Sequence, residues 1–246
     1  MQNQFDPRTT TTGFGPGVTV GVPTATRDAG LRSYMLKVYN YMASGVLLTG
    51  IVALLFANSG MAEQLFTSGG LLKWVVILSP LAIVMTMSFG MNRFSAASLQ
   101  MMFWAFAGLM GLSMSTIFLV YTGTSIAQTF FAVTAAFLGL SLYGYTTKRD
   151  LSGLGTFLIM GVIGLLVAMV INIFLQSSAM AMAISAIGVL IFAGLTAYDT
   201  QKIKSIYYHV QGTEMMGKTA ILGALSLYLD FINMFQFLLA FMGNRE

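Results

Sequence analysis

The chain has no cysteine, a single histidine and few charged residues. Without a thiol it can form no disulfide, no thiolate metal site and no cysteine nucleophile. Charged residues make up 8% of its 246 residues, whereas a water-soluble domain carries roughly a quarter. Hydrophobic residues make up 57%, and the mean hydropathy is +0.80. This composition excludes an ordinary soluble domain and predicts an integral membrane protein.

Four long segments contain no charged residue, and their lengths predict the number of membrane crossings. They are 38–62, 74–92, 94–147 and 151–198. One helical crossing takes about 20 apolar residues, so each of the last two segments must hold two crossings. A seventh predicted helix covers about 219–243 if one aspartate is allowed within it. Because the segments lack the alternation of barrel strands, the predicted fold is all-α, a polytopic bundle of seven transmembrane helices.

Turn-forming residues divide the paired segments. "YTGTS" at 121–125 separates the third and fourth predicted helices, and "QSS" at 176–178 separates the fifth and sixth. Residues 1–30 are rich in Thr, Gly and Pro and have no hydrophobic period. We therefore predict a disordered cytoplasmic tail, residues 1–30, before a transmembrane domain of residues 31–246. The tail has no apolar segment near Met1, which predicts an uncleaved first helix.

Basic residues are distributed unequally between the two ends of the predicted helices. Ten fall on one side, namely Arg8, Arg27, Arg32, Lys37, Arg93, Lys148, Arg149, Lys202, Lys204 and Lys218, and two, Lys73 and Arg245, fall on the other. Because basic residues near helix ends are retained in the cytoplasm, we predict an inside amino terminus and an outside carboxyl terminus. The net charge of +4 then reflects topology, and no nucleic-acid partner is expected.

One carboxylate interrupts the seventh predicted helix. Asp230 lies in the middle of "LSLYLDFINMFQFLL", residues 225–239. At 100° per residue, five residues share an arc of about 80°: Thr219, Gly223, Ser226, Asp230 and Asn233. A carboxylate at mid-bilayer costs about 2.5–3.5 kcal/mol on insertion scales. We therefore expect this polar stripe to face the bundle interior or a watery cavity.

A second carboxylate, Asp199, lies toward the predicted cytoplasmic end of the sixth helix, in "LTAYDTQKIK". The midpoint of positions 199 and 230 falls between Glu214 and Met215, within the turn-forming segment "VQGTEMMG". If the sixth helix continues through "KIKSIYY" before this turn, the two aspartates lie at similar depth. Two adjacent carboxylates out of bulk water should share one proton and titrate as a pair, which predicts a pH sensor.

The same pair predicts a weak cation site. Deprotonated carboxylates are hard oxygen ligands that suit Ca²⁺, but two of them with a few carbonyls make a poor cage. Weak binding suits a conduction path, because the ion must also leave. Structural interpretations remain open: Asp230 as a hydrogen-bonded packing contact, Asp199 as an interfacial partner of Lys202, and Asn233 as a contact between helices that could also ligate an ion.

Three segments carry a resemblance to a known family. "TAYDTQKIK", "ALSLYLDFINMF" and "YTTKRDLSGLG" (145–155) are similar to the Bax inhibitor-like, or transmembrane Bax-inhibitor-motif, family in its bacterial branch, over about residues 30–243. The resemblance implies a seven-helix bundle of the inner (plasma) membrane. In some members it implies a pH-sensitive calcium leak governed by two aspartates on the sixth and seventh helices. These aspartates match Asp199 and Asp230.

The family also has an arginine whose match in this chain is shifted. In channel-like members, an arginine at the cytoplasmic end of the second helix pairs with the two aspartates. In "MSFGMNRF" the matching position holds Asn92, and the nearby base is Arg93. An offset of one residue turns a side chain by about 100° on a helix, which argues against such a pairing by Arg93.

Two functional hypotheses follow. The first is a pH-sensitive cation leak, for Ca²⁺ above all, gated by Asp199 and Asp230, with Asn233, Ser226 and Arg93 as supporting residues and no cofactor beyond transient Ca²⁺. The second is a non-conducting regulator that binds a membrane protease or stress partner, which members of the family also do. An enzyme is not expected, because membrane aspartyl proteases carry Gly-x-Gly before their second aspartate, and "LYL" precedes Asp230.

Overall fold

Nine α-helices make up most of the part of the chain that the computed structural model describes, residues 24–68 and 70–244. They are α1 (Thr24–Asn58), α2 (Met61–Thr67), α3 (Leu71–Gly90), α4 (Ala96–Met114), α5 (Ile117–Val120), α6 (Gly123–Thr146), α7 (Ser152–Leu175), α8 (Ser178–Val210) and α9 (Met215–Met242). The first 23 residues of the predicted tail lie outside the described residues, and α1 begins at Thr24.

Seven segments of these helices are long and apolar enough to cross a membrane, in agreement with the prediction of an all-α, seven-helix fold. α4 and α5 together form one such segment, Ala96–Val120, and α2 is too short to be one. The breaks predicted inside the paired segments are confirmed. Thr122 caps α6 by accepting a hydrogen bond from the Ser125 N–H (3.3 Å), and Ser177 caps α8 by accepting one from the Met180 N–H (3.3 Å).

α9 is the central helix of the bundle. It packs most extensively against α8 and also contacts α1, α4 and α6. In an 18-residue apolar segment of α9 half of the residues are buried, whereas in the corresponding segments of α3 and α7 only 11% are buried. Apolar residues outside the predicted stripe, such as Leu225, Phe231 and Met234, are therefore buried as well as Asp230. Lipid is as apolar as leucine, so hydrophobicity along α9 does not show which faces contact other helices.

A hydrogen-bonded tyrosine joins the central helix to α1 and α4. The Thr49 hydroxyl donates to the Ala107 carbonyl (2.8 Å), and Tyr228 Oη lies 2.6 Å from Thr49 Oγ1. Because the Thr49 proton is used by the carbonyl, the Tyr228 hydroxyl is the donor to Thr49. The Tyr228 ring also packs edge-on against Phe106, with ring centroids 5.0 Å apart. This arrangement fixes three helices around one fully buried side chain.

Two close approaches of helices to α8 depend on glycine. A Cβ at Gly144 of α6 would overlap the carbonyl oxygen of Ala197, and one at Gly155 of α7 would overlap the Tyr198 ring. At the first position the obstacle is backbone, which cannot rotate away. The absence of a side chain at these two glycines therefore allows α6 and α7 to pack closely against the segment of α8 that carries Asp199.

Candidate functional site

The hairpin of α8 and α9 positions both aspartates, as the sequence indicates. α8 continues to Val210, a turn follows with Gly212 at φ 76°, and α9 begins at Met215. The turn is thus centred about two residues earlier than predicted. Asp199 lies 210 − 199 = 11 residues from the end of α8, and Asp230 lies 230 − 215 = 15 residues from the start of α9. This difference of four residues places Asp230 about 6 Å, roughly one helical turn, farther from the connection between α8 and α9 than Asp199 is.

Asp230 is enclosed within the bundle. Its side chain is 4% exposed, and among the described residues its Oδ2 atom has no hydrogen-bond partner. Asp199 is half-buried. Lys202, on α8 like Asp199, is exposed, and its Nζ lies 5.8 Å from the centre of the Tyr198 ring. A buried carboxyl oxygen without a protein partner is unusual, and a proton, a water molecule or a cation would satisfy it.

Buried hydroxyl groups surround this part of α8. Thr196 and Thr200 donate to the carbonyls one turn earlier on α8, Phe192 and Thr196, each at 2.8 Å. Thr200 Oγ1 also lies 3.5 Å from Ser141 Oγ on α6. Sequence reasoning missed these residues, although Thr at i and i+4 beside Asp199 is a signal. Because their protons are used within α8, the threonine oxygens remain available as acceptors.

The predicted supporting residues lie at three different places. Asn233 is half-buried and donates from Nδ2 to the Leu229 carbonyl (2.8 Å), so its amide is engaged within α9. Together with Asn172 of α7 it lines a cavity of about 480 Å³ between α7, α8 and α9. Ser226 is half-buried on α9. Arg93 is exposed in the turn after α3.

The loop of residues 147–151 is tied to the end of α8. Gln201 accepts a hydrogen bond from the Leu151 N–H at Oε1 (2.9 Å) and donates from Nε2 to the Arg149 carbonyl (2.8 Å). Lys204 donates to the Tyr145 carbonyl (2.7 Å), with its Nζ 5.0 Å from the centre of the Tyr145 ring. These contacts hold the ends of α6 and α7 against α8, two to five residues beyond Asp199.

Removing the Gln201 amide should free this loop. We expect Gln201→Ala to speed tryptic cleavage after Lys148 and Arg149 in the purified protein severalfold, because both bonds to the loop backbone are lost. Gln201→Glu keeps the acceptor for the Leu151 N–H and should give an intermediate rate. Peptide mapping by mass spectrometry measures both rates. Equal cleavage of the wild type and Gln201→Ala would show that these bonds do not hold the loop.

Asp150, in the same loop, lies outside the candidate spans. Its side chain accepts a hydrogen bond from the Ser152 N–H (2.9 Å), and hydrogen bonds from Ser152 hold the pKa of the Asp150 carboxyl below its ordinary value. A carboxyl pKa that is lower in the folded state stabilises the protein at pH values above the ordinary pKa of the group. This stabilisation is lost as the pH falls through the lowered pKa. Asp150 is therefore ionised near neutral pH.

Within residues 24–68 and 70–244, no group of three or more His, Cys, Asp or Glu side chains is arranged to hold a metal ion. A cation at the α8–α9 site would therefore have two carboxylates, with hydroxyl and carbonyl oxygens as its other protein ligands. Such a ligand set is too sparse for tight Ca²⁺ binding.

Comparison with known proteins agrees with this architecture. The family model described as "Inhibitor of apoptosis-promoting Bax1" matches residues 31–246. An uncharacterized protein of Rickettsia prowazekii is 47% identical over 221 residues, which cover 90% of this chain and 93% of that protein. The inner membrane protein YbhL of Escherichia coli is 46% identical over 220 residues, which cover 89% and 94% respectively. The chain therefore belongs to the Bax inhibitor family and is a polytopic membrane protein, as the resemblance of its motifs predicts.

Proposed function

We propose that this protein is a pH-sensitive leak pathway for cations, for Ca²⁺ above all, in which Asp199 and Asp230 bind both the ion and the proton. One observation carries the proposal: the buried Oδ2 of Asp230 has no hydrogen-bond partner among the described residues. A group that only held helices together would be expected to make such a bond. An unpartnered carboxyl oxygen in the same helical hairpin as a second carboxylate is instead suited to exchange ligands.

Protonation of the pair changes the charge at the centre of the bundle. α9 carries Asp230 and contacts α1, α4, α6 and α8, so a change of charge on this helix acts on each of these interfaces. The helix that packs most extensively against α9 is α8, which carries Asp199 and Lys202. Gaining or losing the shared proton then shifts the population between a shut and an open arrangement of α8 and α9.

The proposed orientation and location follow from charge and similarity. Ten basic residues against two favour a cytoplasmic amino terminus. The end of α8 that carries Lys202 and Lys204 then faces the cytoplasm, together with the 147–151 loop that is hydrogen-bonded to it. Similarity to a protein named as an inner membrane protein supports the same membrane for this chain.

Calcium flux into liposomes tests the proposal. The full-length protein should pass Ca²⁺ at a rate that changes between about pH 5 and pH 8, a range in which an exposed aspartate stays ionised. Asp230→Asn keeps the size of the side chain but cannot titrate. We therefore expect the ratio of the fluxes at the two ends of the range to fall toward one in this variant.

Two control variants separate the site from other charges. His209, the single histidine of the sequence, is exposed, and its Nδ1 lies 3.0 Å from the Ser205 carbonyl oxygen. His209→Gln and Asp150→Asn, which removes an aspartate outside the spans, should both keep the wild-type pH profile. If Asp230→Asn retains that profile, the proposed gate is wrong. If folded protein passes no Ca²⁺ at any pH, the non-conducting regulator is the better hypothesis.

A further inference from the structure

An open crevice runs along the side of the bundle between α1 and α6. α1 packs mainly against α4 and α9, and α6 packs mainly against α8 and α9. The space between α1 and α6 forms a cavity of about 710 Å³, with the buried Phe231 of α9 among its lining residues. A volume of this size is in the range of ligand sites in proteins.

The crevice is apolar along nearly its whole length. Its lining on α1 extends from Arg32 to Leu47, a separation of 15 residues, which is about 22 Å at the rise of an α-helix. Exposed leucines, among them Leu47 and Leu138, line it beside the buried Phe137 and Phe231. Such a surface on the side of a transmembrane bundle contacts the hydrocarbon chains of lipids.

A positive charge lies at one end of this apolar surface. Arg32 lines the crevice and is exposed, four residues into the candidate span Ala29–Asn58. That span has 30 residues and is thus about 45 Å long, whereas the hydrocarbon core is about 30 Å thick. Arg32 can therefore lie at the level of the lipid headgroups, with Tyr145 of α6 in the same lining. No acidic residue is found among the described residues that line the crevice.

We propose that the α1–α6 crevice is a binding site for an anionic phospholipid. One acyl chain lies along the apolar lining, and the phosphate accepts hydrogen bonds from the Arg32 guanidinium. Charge decides between a lipid and a second copy of the chain: a symmetric pair using this face would bring Arg32 against its own counterpart with no acidic partner in the described lining. The chain of the bound lipid packs on Phe231, the neighbour of Asp230 on α9.

Native mass spectrometry of the full-length protein in detergent tests the site. The protein is titrated with phosphatidylglycerol or with phosphatidylcholine of identical acyl chains. We expect about a fivefold preference for phosphatidylglycerol, the ratio that corresponds to about 1 kcal/mol for one basic residue near a membrane surface. Arg32→Gln should abolish this preference, while Arg149→Gln, which removes an exposed charge outside the crevice lining, should keep it.

A second pair of variants tests the apolar part of the site. Ala43 is exposed and lines the crevice, whereas Ala135 is exposed on α6 and is not among the lining residues. Ala43→Trp should fill the crevice and lower the binding of both lipids, and Ala135→Trp should leave it unchanged. Equal binding of the two lipids by the wild type, equal losses in Arg32→Gln and Arg149→Gln, or undiminished binding by Ala43→Trp would each overturn the proposal. A dimer that only Ala43→Trp disrupts would show that a second copy occupies the crevice instead, and would also overturn it.

Discussion

Gly144→Val is expected to destabilise the bundle more than any other single change at the α6–α8 interface. A Cβ at position 144 would overlap the Ala197 carbonyl oxygen and approach the Ala197 Cα to 3.0 Å. These atoms are backbone, so α6 and α8 must separate instead of a side chain rotating. Overpacking of a well-packed core costs about 1–3 kcal/mol and occasionally more, and we expect the upper end of this range. Thermal unfolding of the purified protein in detergent measures the loss.

Gly139→Val is the matched control for this prediction. Gly139 lies on the same helix, is exposed, and a Cβ there would meet nothing within 4 Å. Both variants exchange glycine for valine in α6, so the change in helix propensity is nearly the same. The difference between their unfolding temperatures therefore reports the contact with Ala197. Equal unfolding temperatures would mean that the two helices can separate at no cost, and the close approach would then not be required for stability.

Tyr228→Ala is expected to have the second large effect. Tyr228 is fully buried, its ring packs against Phe106 and Phe103, and its hydroxyl bonds Thr49. Replacing a buried aromatic residue by alanine leaves a cavity and costs about 3–5 kcal/mol. Because the ring lies among α1, α4 and α9, the loss should appear as unfolding of the whole bundle at a lower temperature, which can be followed by circular dichroism.

Two further variants divide this loss into its parts. Tyr228→Phe removes only the hydroxyl, and hydrogen bonds between membrane helices contribute about 0.6 kcal/mol on average. The Thr49 hydroxyl can still donate to the Ala107 carbonyl in that variant. Tyr208→Ala removes a tyrosine that is 43% exposed, and we expect a change below about 0.5 kcal/mol. A loss in Tyr228→Phe as large as that in Tyr228→Ala would show that the hydroxyl, and not ring packing, holds the three helices.

Polar turn and capping residues predicted the helix boundaries well where they lie between two apolar segments. Thr122 and Ser177 lie within the predicted turns, and their hydroxyls cap α6 and α8. The break between α4 and α5 was not predicted, because Ser115 and Thr116 interrupt the helix while the apolar character continues on both sides. Local hydrogen bonds of Ser115 to the Leu112 carbonyl (2.7 Å) compete with the helix there.

The candidate site was predicted in part. Asp199 and Asp230 stand out because a charge in an apolar span is costly, so the sequence alone marks them. Their relative depth depended on the exact turn, and Asp230 lies one turn farther along its helix because the turn is centred earlier. Arg93 lies exposed beyond α3, whereas Lys202 shares α8 with Asp199. Which base approaches a carboxylate depends on how helices rotate and pack, and a helical wheel does not contain this information.

The amino-acid sequence is enough to predict that the protein lies in a membrane, how many spans it has, where they approximately end and which two aspartates lie within them. It is enough because each span must satisfy its own backbone hydrogen bonds and match the thickness of the bilayer, and both requirements are local. The packing of the helices in three dimensions was needed to show that α9 is central, that Tyr228 joins three helices, that Gly144 meets Ala197 and that a crevice separates α1 from α6. In lipid an apolar side chain is equally well solvated by a neighbouring helix or an acyl chain. Packing and shape, and not hydrophobicity, therefore select the partners of each helix.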